Sequence, residues 1–400
     1  MSAGCNNGVD SSDPLTRFRA AMPIASRVAY FDHAAVAPLP SPTREAMRQW
    51  LDQATEVGDP LWPAWSRRLQ AVRQTAAQLI GALPSEIALV PNTTSGIGLI
   101  AEGFPFAAGD NVVTLANEFP SNQYPWMNLA SRGVELRRVP VEGGIVDLGR
   151  VEAACDARTR IVSLSWVGFA TGWRIDVAEA AAMAHRRGAL FFLDAIQGLG
   201  VFPLDVAATG VDFLAADGHK WLLGPEGAGL LYVRREHLPR LRPLMVGWNS
   251  VVQGSDYTRV ELNLRDEAGR YEGGSHNMIG FCGLGASLDL LSTLGLAKNH
   301  SPIADAVLAI TDYACERLAE LGATFLAPRV GQHRSGIVTF QLPGHDANEI
   351  RQQLERAGII TRCRAGGVRI SPHGYATRDE VDRMIDELRR IQNVPLSIHP

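Results

Sequence analysis

Residues 212–221 read Asp212-Phe213-Leu214-Ala215-Ala216-Asp217-Gly218-His219-Lys220-Trp221. The apolar first half predicts a buried strand, and the polar, glycine-containing second half predicts a loop after that strand. In open sheets of parallel strands covered by helices, ligands bind beyond the carboxyl ends of the strands. His219 and Lys220 are therefore candidates for a functional site.

The sequence on the N-terminal side alternates helical patterns with short apolar runs. Residues 176–188 are typical of a helix, because an acidic start precedes an alanine-rich body and Gly188 follows as a terminator. Such alternation predicts an α/β fold with a mostly parallel sheet covered by helices. The predicted strands are 112–115, 161–164, 190–193 and 212–215, with a further one at 227–233.

A smaller unit is predicted beyond the sheet. Residues 241–277 show little periodicity and are expected to be rich in loops. A helix then starts near residue 283, and strands at 336–341 and 368–371 accompany helices at 347–357 and 378–392. We predict two domains, a large one at residues 30–285 and a small α+β one at 286–400 that includes the segment 1–29.

The charge and hydropathy of the chain indicate which classes of binding partner to expect. The formal net charge of -4 and the pI near 6.2 provide no basic field for nucleic acid, so small molecules are the expected partners. No apolar run approaches the roughly 18 to 20 residues that span a bilayer, and residues 1–13 are polar without a signal pattern. These features predict a cytoplasmic protein that does not bind membranes. Five cysteines without paired spacing predict neither disulfides nor a metal site.

Lysine is almost absent from this chain. Of 38 basic residues only Lys220 and Lys298 are lysines, and the others are arginines. A codon bias accounts for the general depletion, but an unprotonated amine can attack a carbonyl whereas a guanidinium stays charged. Lys298 lies in a polar string and is expected on the surface. Lys220 has apolar and glycine neighbours, which indicate partial burial and a lowered pKa.

Two further segments carry polar residues at predicted element ends. Asp194 ends an apolar run, and Gln197 follows three residues later. The hydroxyl-rich stretch with Thr93 and Thr94 precedes an apolar helical pattern, and a helix N-terminus of this kind suits a phosphate. Ordinary helix capping uses the same residue types, so neither segment alone specifies a ligand.

Together, Thr93-Thr94, Asp194-x-x-Gln197 and Gly218-His219-Lys220 resemble the class V aminotransferase family, near group II cysteine desulfurases and selenocysteine lyases. The resemblance extends from about residue 30 to residue 388. It implies the PLP-dependent transferase fold type I, with a mostly parallel seven-stranded sheet in the large domain. It also implies pyridoxal 5'-phosphate (PLP) as the cofactor and a small amino acid as the substrate.

The resemblance assigns roles to the motif residues. Lys220 would hold PLP as a Schiff base, and Asp194 would pair with the pyridinium nitrogen so that the ring can accept electrons. Gln197 would bond the phenolic oxygen of the cofactor. The phosphate would be held by Thr93, Thr94 and His219.

Four matches to the family are looser. Phe119 stands where desulfurases carry a histidine stacked on the cofactor. Ser275 lies in a segment similar to a loop that reaches the phosphate of the opposite subunit, which implies a homodimer, although the segment also fits an ordinary glycine-rich turn. Arg369 matches the arginine that grips the substrate carboxylate. His33 falls in a substrate-side loop where an asparagine is usual.

Two departures from the family pattern are evident. Asp217 replaces a phosphate-binding serine, and we expect its carboxylate to turn away from the phosphate towards His219. Desulfurases have a longer loop with a catalytic cysteine before the carboxylate-binding arginine, whereas residues 362–367 here lead almost directly to Arg369. The loop that forms a persulfide is therefore expected to be absent, and Cys363 is expected to be a half-buried strand thiol.

The leading hypothesis is a PLP enzyme that acts on a small amino acid by transamination or elimination. One alternative is a cysteine desulfurase or C–S lyase that uses Cys363. Another is a catalytically silent PLP-fold binding protein, which the retained Lys220, Asp194 and Arg369 disfavour. A nucleotide-binding oxidoreductase is not indicated, because no G-x-G-x-x-G follows a strand and opens a helix. No motif determines which substrate bond breaks.

Overall fold

Strands and helices alternate through most of residues 13–393, which this computed structural model describes. Cys5 and the polar N-terminal stretch up to residue 12 lie outside the described residues. The strands are β1 Ala29–Tyr30, β2 Ile87–Val90, β3 Asn111–Leu115, β4 Glu135–Val139, β5 Thr159–Ser165, β6 Leu190–Asp194, β7 Phe213–Asp217, β8 Gly229–Val233, β9 Thr324–Phe325, β10 Val338–Gln341, β11 Ile359–Ile360, β12 Arg362–Arg364 and β13 Gly367–Ile370. The helices are α1 Pro14–Ala20, α2 Ser41–Glu56, α3 Trp62–Ile80, α4 Thr93–Gly103, α5 Tyr124–Met127, α6 Leu148–Ala153, α7 Val177–Arg186, α8 Val206–Thr209, α9 Met278–Thr293, α10 Pro302–Glu320, α11 Ala347–Arg356 and α12 Arg378–Asn393.

The central sheet has seven strands in the order β2-β8-β7-β6-β5-β3-β4. Only β8 runs against its neighbours, so the sheet is mostly parallel, as predicted. Except for the edge strand β4, its strands are buried on both faces. Phe191 and Leu193 of β6 belong to one hydrophobic cluster, and Phe192 between them belongs to another on the opposite face.

The predicted helix at 176–188 illustrates how local signals place an element. It is observed as α7, and the carboxylate of Asp176 accepts a hydrogen bond from the N–H of Glu179 at 3.0 Å. Gly188 follows the helix with φ +73°, a conformation that glycine adopts without steric cost. The predicted strands in this half are also found, with ends shifted by one or two residues. β2 and β4 were not predicted.

The C-terminal part of the chain forms a second, four-stranded sheet in the order β12-β13-β10-β9. The N-terminal strand β1 pairs in parallel with β11, so the start of the chain packs against this smaller unit. A third hydrophobic cluster lies between this sheet and helices α10, α11 and α12. The division at residue 285 into a large and a small domain stays a prediction.

The hairpin of β12 and β13 turns through two residues, Ala365 with φ +47° and Gly366 with φ +78°. Two consecutive positive φ values are typical of the tightest hairpin turns. The two strands are therefore joined without further loop residues, and Arg369 on β13 points towards the central sheet.

Among the described helices, none has the length and apolar character needed to cross a membrane.

Candidate active site

A cavity of about 370 Å³ lies at the carboxyl ends of β6 and β7, beside the N-terminus of α4 and beneath the β12–β13 hairpin. We call it the pocket. It brings together eight of the ten site residues predicted from the sequence, namely Thr93, Thr94, Phe119, Asp194, Gln197, His219, Lys220 and Arg369.

Lys220 is held in the pocket by a tight loop after β7. Gly218 is required in that loop, because an added Cβ would lie 2.7 Å from the carbonyl oxygen of Ala228. The lysine is only 7% exposed, and its Nζ lies 5.4 Å from the centre of the Phe119 ring. Within residues 13–393 its amine has no hydrogen-bond partner. Burial lowers the pKa of Lys220 to about 8, although the nearby charge of Asp194 opposes this shift.

Asp194 ends β6 and is 1% exposed. Its Oδ1 accepts a hydrogen bond from the N–H of Ile196 at 3.2 Å. Burial raises the pKa of the carboxyl group to about 6, while the hydrogen bond and the charge of Lys220 partly offset that rise. A cationic group placed beside Asp194 would restore the charged form, because an opposite charge lowers a carboxyl pKa.

Gln197 is oriented by two hydrogen bonds. Its Nε2 donates to the carbonyl oxygen of Ala34 at 3.0 Å, and its Oε1 accepts from Trp221 Nε1 at 2.8 Å. Because the oxygen is occupied and Nε2 carries two hydrogens, the second Nε2 hydrogen is the group that Gln197 can offer to a ligand.

The N-terminus of α4 forms the other end of the pocket. Asn92 caps this helix by accepting a hydrogen bond from the N–H of Ser95 at 2.8 Å. The Thr94 hydroxyl donates to Ser121 Oγ at 2.7 Å, and Thr93 Oγ1 accepts from the N–H of Asp217 at 2.9 Å. Within the described chain, the N–H groups of Thr93 and Thr94 have no partner, so they can bind an anion together with the helix dipole.

Asp217 turns towards His219 as expected. Its Oδ2 lies 2.9 Å from His219 Nδ1, at ion-pair distance but without the alignment of a hydrogen bond, and its Oδ1 is buried without a hydrogen-bond partner. The side chains of Asp217 and His219 thus lie against each other at the edge of the pocket.

Arg369 projects from β13 and is 1% exposed. Its guanidinium donates to Asp32 Oδ1 at 3.0 Å and to the carbonyl oxygen of Phe169 at 2.8 Å, while its Nε is buried without a partner. Burial lowers the pKa of Arg369, and the charge of Asp32 opposes that change. An unpartnered guanidinium donor in a pocket is suited to a carboxylate ligand.

Two predicted site residues are not brought to the pocket. His33 is fully buried, with Nδ1 at 3.1 Å from the carbonyl oxygen of Ser371 and Nε2 at 3.0 Å from the Tyr375 hydroxyl. Both ring nitrogens are thus engaged in the core, and the predicted contact of His33 with substrate has no support in this geometry. Ser275 is exposed and lines a different cavity of its own chain.

Sequence reasoning missed several residues that shape the pocket. Glu118 precedes Phe119 and is buried, where its Oε1 accepts from the N–H of Ser165 at 2.7 Å and burial raises its pKa to about 7. Arg362 and Arg364 line the pocket beside Arg369. The alternation of arginine and cysteine in residues 362–364 could have indicated that both arginines share one face of a strand.

Cys363 lies between these arginines but on the opposite face of β12. Its thiol donates to the carbonyl oxygen of Ala347 at 3.1 Å, and burial raises its pKa. A thiol with a raised pKa and no contact with the pocket is a poor nucleophile.

Residues 29–384 match the family Aminotransferase class-V. The chain belongs to this family. It is 33% identical to a probable cysteine desulfurase from Methanothermobacter thermautotrophicus, over 92% of this chain and 96% of the relative. The class V enzymes are PLP-dependent, and the structure has their fold type I architecture.

Two solved structures support the same assignment of the fold. The apo cysteine desulfurase of Thermococcus onnurineus NA1 is 28% identical with a TM-score of 0.85, over 94% of this chain and 97% of that one. The cystine C–S lyase C-DES has a similar fold, with 24% identity, a TM-score of 0.84 and coverage of 90% and 97%. A further C-DES structure holds glycine covalently linked to its PLP cofactor.

The residues of the pocket fit PLP. The unpartnered amine of Lys220 can bind the aldehyde, the buried carboxylate of Asp194 suits a ring nitrogen that carries a proton, and the open N–H groups of α4 suit the phosphate. When bound, PLP supplies an electron sink that stabilises negative charge at the substrate Cα.

Proposed function

We propose that this protein is a C–S lyase that cleaves a cysteine-derived amino acid by elimination. The Cα–H and Cβ–S bonds of the substrate break, and the sulfur leaves with the electron pair of its bond as a thiolate. With one water, the remaining atoms become pyruvate and ammonia. Neither oxidation nor reduction is required overall.

The relatives favour cleavage of a C–S bond over transamination. The relative named above is a probable cysteine desulfurase, and the solved neighbours include a cysteine desulfurase and a cystine C–S lyase. These names agree better with the desulfurase or C–S lyase alternative than with an aminotransferase.

The placement of Cys363 is the observation that separates a lyase from a desulfurase. A desulfurase transfers sulfur to a protein thiol, which must reach the substrate. The tight β12–β13 turn holds Cys363 on the face away from the pocket, and none of the cysteines in the described part of the chain lines that pocket. We therefore propose that sulfur is released as a small thiol and is not passed to the enzyme.

The pocket residues can perform the steps of an elimination. The lowered pKa of Lys220 leaves part of the amine unprotonated near neutral pH, so it can take the proton from Cα. Arg369 holds the carboxylate and so fixes which bonds face the lysine. The rings of Phe119 and Phe169 pack edge to face, with 5.3 Å between their centres. They lie beside the Lys220 amine and exclude water from it.

The test is the set of products formed by the PLP-loaded enzyme from cysteine, cystine and S-alkyl cysteines. We expect pyruvate, ammonia and the free thiol or persulfide in equal amounts. The Cys363→Ser variant should keep this activity. Alanine and sulfide as products, lost in Cys363→Ser, would establish a desulfurase. A keto acid formed without ammonia would establish transamination.

A further inference from the structure

The β12–β13 hairpin places three arginines against the pocket. Arg362 is the direct cross-strand partner of Arg369, and Arg364 stands opposite Gly367. Side chains two residues apart share one face of a strand, so all three guanidinium groups lie on the side that closes the pocket. Like charges on directly paired strand positions repel each other. An arrangement of this kind requires negative charge for its stability.

Asp32 is the one carboxylate that pairs with these arginines in the described chain. It is 2% exposed and accepts from Arg369 at 3.0 Å and from Arg362 Nε at 3.2 Å. Arg364 has no ion pair among the described residues, and its guanidinium donates to the carbonyl oxygen of Cys363 at 2.9 Å. Three positive charges against one negative charge leave an excess of two at this end of the pocket.

The acidic groups at the other end of the pocket do not balance this excess. Asp194 acts on Lys220, and Asp217 contacts His219. The charges that shift the pKa of Arg369 come from Asp32, Arg364 and Arg362, and Asp32 is the one carboxylate among them. The α-carboxylate of an amino-acid substrate supplies one negative charge to this group. A second positive charge remains without a partner.

The three arginines also differ in depth. Arg369 is almost fully buried, whereas the Arg362 side chain is 49% exposed and Arg364 is half-buried. A substrate whose α-carboxylate reaches Arg369 would extend its side chain past the two outer arginines. The planar guanidinium group matches a carboxylate through two parallel hydrogen bonds.

We propose that Arg364 and Arg362 form a second carboxylate subsite, so that the substrate is a cysteine S-conjugate with an acidic group at the end of its S-substituent. The choice of a sulfur compound rests on the function proposed above. The preference for a second carboxylate does not depend on which bond breaks.

A binding experiment tests the subsite without turnover. α-Methylglutamate and α-methylglutamine differ in the charge of the terminal group, and neither has the Cα hydrogen that the lysine would remove. We expect the PLP-loaded protein to bind α-methylglutamate at least tenfold more tightly than α-methylglutamine. This ratio should fall towards one in Arg364→Gln. Equal affinities in the unmodified protein would overturn the proposal.

The matched control is Arg356→Gln, which removes an exposed arginine of α11 outside the pocket and should leave the ratio unchanged. Arg364→Lys retains the charge and should restore part of the preference, which separates a charge effect from misfolding. If the ratio in both Arg364→Gln and Arg362→Gln equals that of the unmodified protein, the assignment of these residues is wrong.

A kinetic experiment then connects the subsite to C–S cleavage. S-(2-carboxyethyl)cysteine and its amide, S-(2-carbamoylethyl)cysteine, are compared by kcat/KM, and the acid should be favoured at least tenfold. Cleavage of neither compound, with the binding preference intact, would overturn the lyase proposal and leave the subsite standing. Cleavage of both at equal efficiency would overturn the subsite.

Discussion

The hydroxyl of Thr93 accepts a hydrogen bond from the backbone N–H of Asp217 at 2.9 Å. This contact joins the N-terminus of α4 to the end of β7, two elements that are far apart in sequence. This hydrogen bond fixes the position of the anion-binding end of the helix relative to the loop that carries Lys220. The side-chain oxygen of Thr93 is consequently occupied, and the helix N–H groups face the phosphate site.

We predict that Thr93→Val raises the dissociation constant for PLP by about tenfold, or ~1.4 kcal/mol, because the buried N–H of Asp217 loses its acceptor. Equilibrium titration of the apo protein measures this constant. The control is Thr209→Val, which removes a hydroxyl that donates to the carbonyl oxygen of Asp205, the N-cap of the short helix α8 outside the pocket. Equal PLP affinity in Thr93→Val and the unmodified protein would refute the role given to this contact.

Lys220→Ala should abolish covalent attachment of PLP and the visible absorption that accompanies it. Lys298→Ala should retain both, because Lys298 is half exposed and pairs with Asp205 at 2.9 Å outside the pocket. Borohydride reduction followed by peptide mapping identifies the modified residue. A label found on Lys298 would contradict the assignment.

The rate at which the apo protein takes up PLP should rise with pH and reach its midpoint near pH 8. Burial lowers the pKa of Lys220 to about 8, so the reactive neutral amine appears at lower pH than in an exposed lysine, whose pKa is about 10.4. Stopped-flow absorbance between pH 7 and 10 measures the rate. The same measurement with a free lysine derivative in solution shows how the ionisation of PLP itself changes the rate with pH. A midpoint near pH 10 would show that the amine is not desolvated.

The homodimer implied by the family resemblance predicts a role for Ser275 across the subunit interface. Ser275 is exposed within its own chain, in agreement with a function towards a second copy. We expect sedimentation to show a dimer, and Ser275→Ala to weaken PLP binding without changing the fold. A fully active, PLP-loaded monomer at working concentration would rule out this prediction.

Local sequence patterns were sufficient for five of the seven strands of the central sheet, but not for β2 and β4. The strands of a parallel sheet are continuous apolar runs, and their polar residues follow at the carboxyl ends, so Asp194 and Lys220 could be located from the chain alone. The observed placement of Cys363 on the face away from Arg362 and Arg364 likewise follows from the alternation of side chains along a strand.

The tertiary structure decided where the N-terminal segment lies. Asp32 and Ser371 form a parallel bridge across most of the length of the chain, which brings Asp32 to Arg369 and buries His33 in the core. No local pattern shows that Asp32 reaches Arg369 while the adjacent His33 is buried in the core. Periodicity within a segment does not specify which distant segment packs against it. The net charge of the pocket depends on this long-range pairing, and so the second carboxylate subsite emerges only from the folded chain.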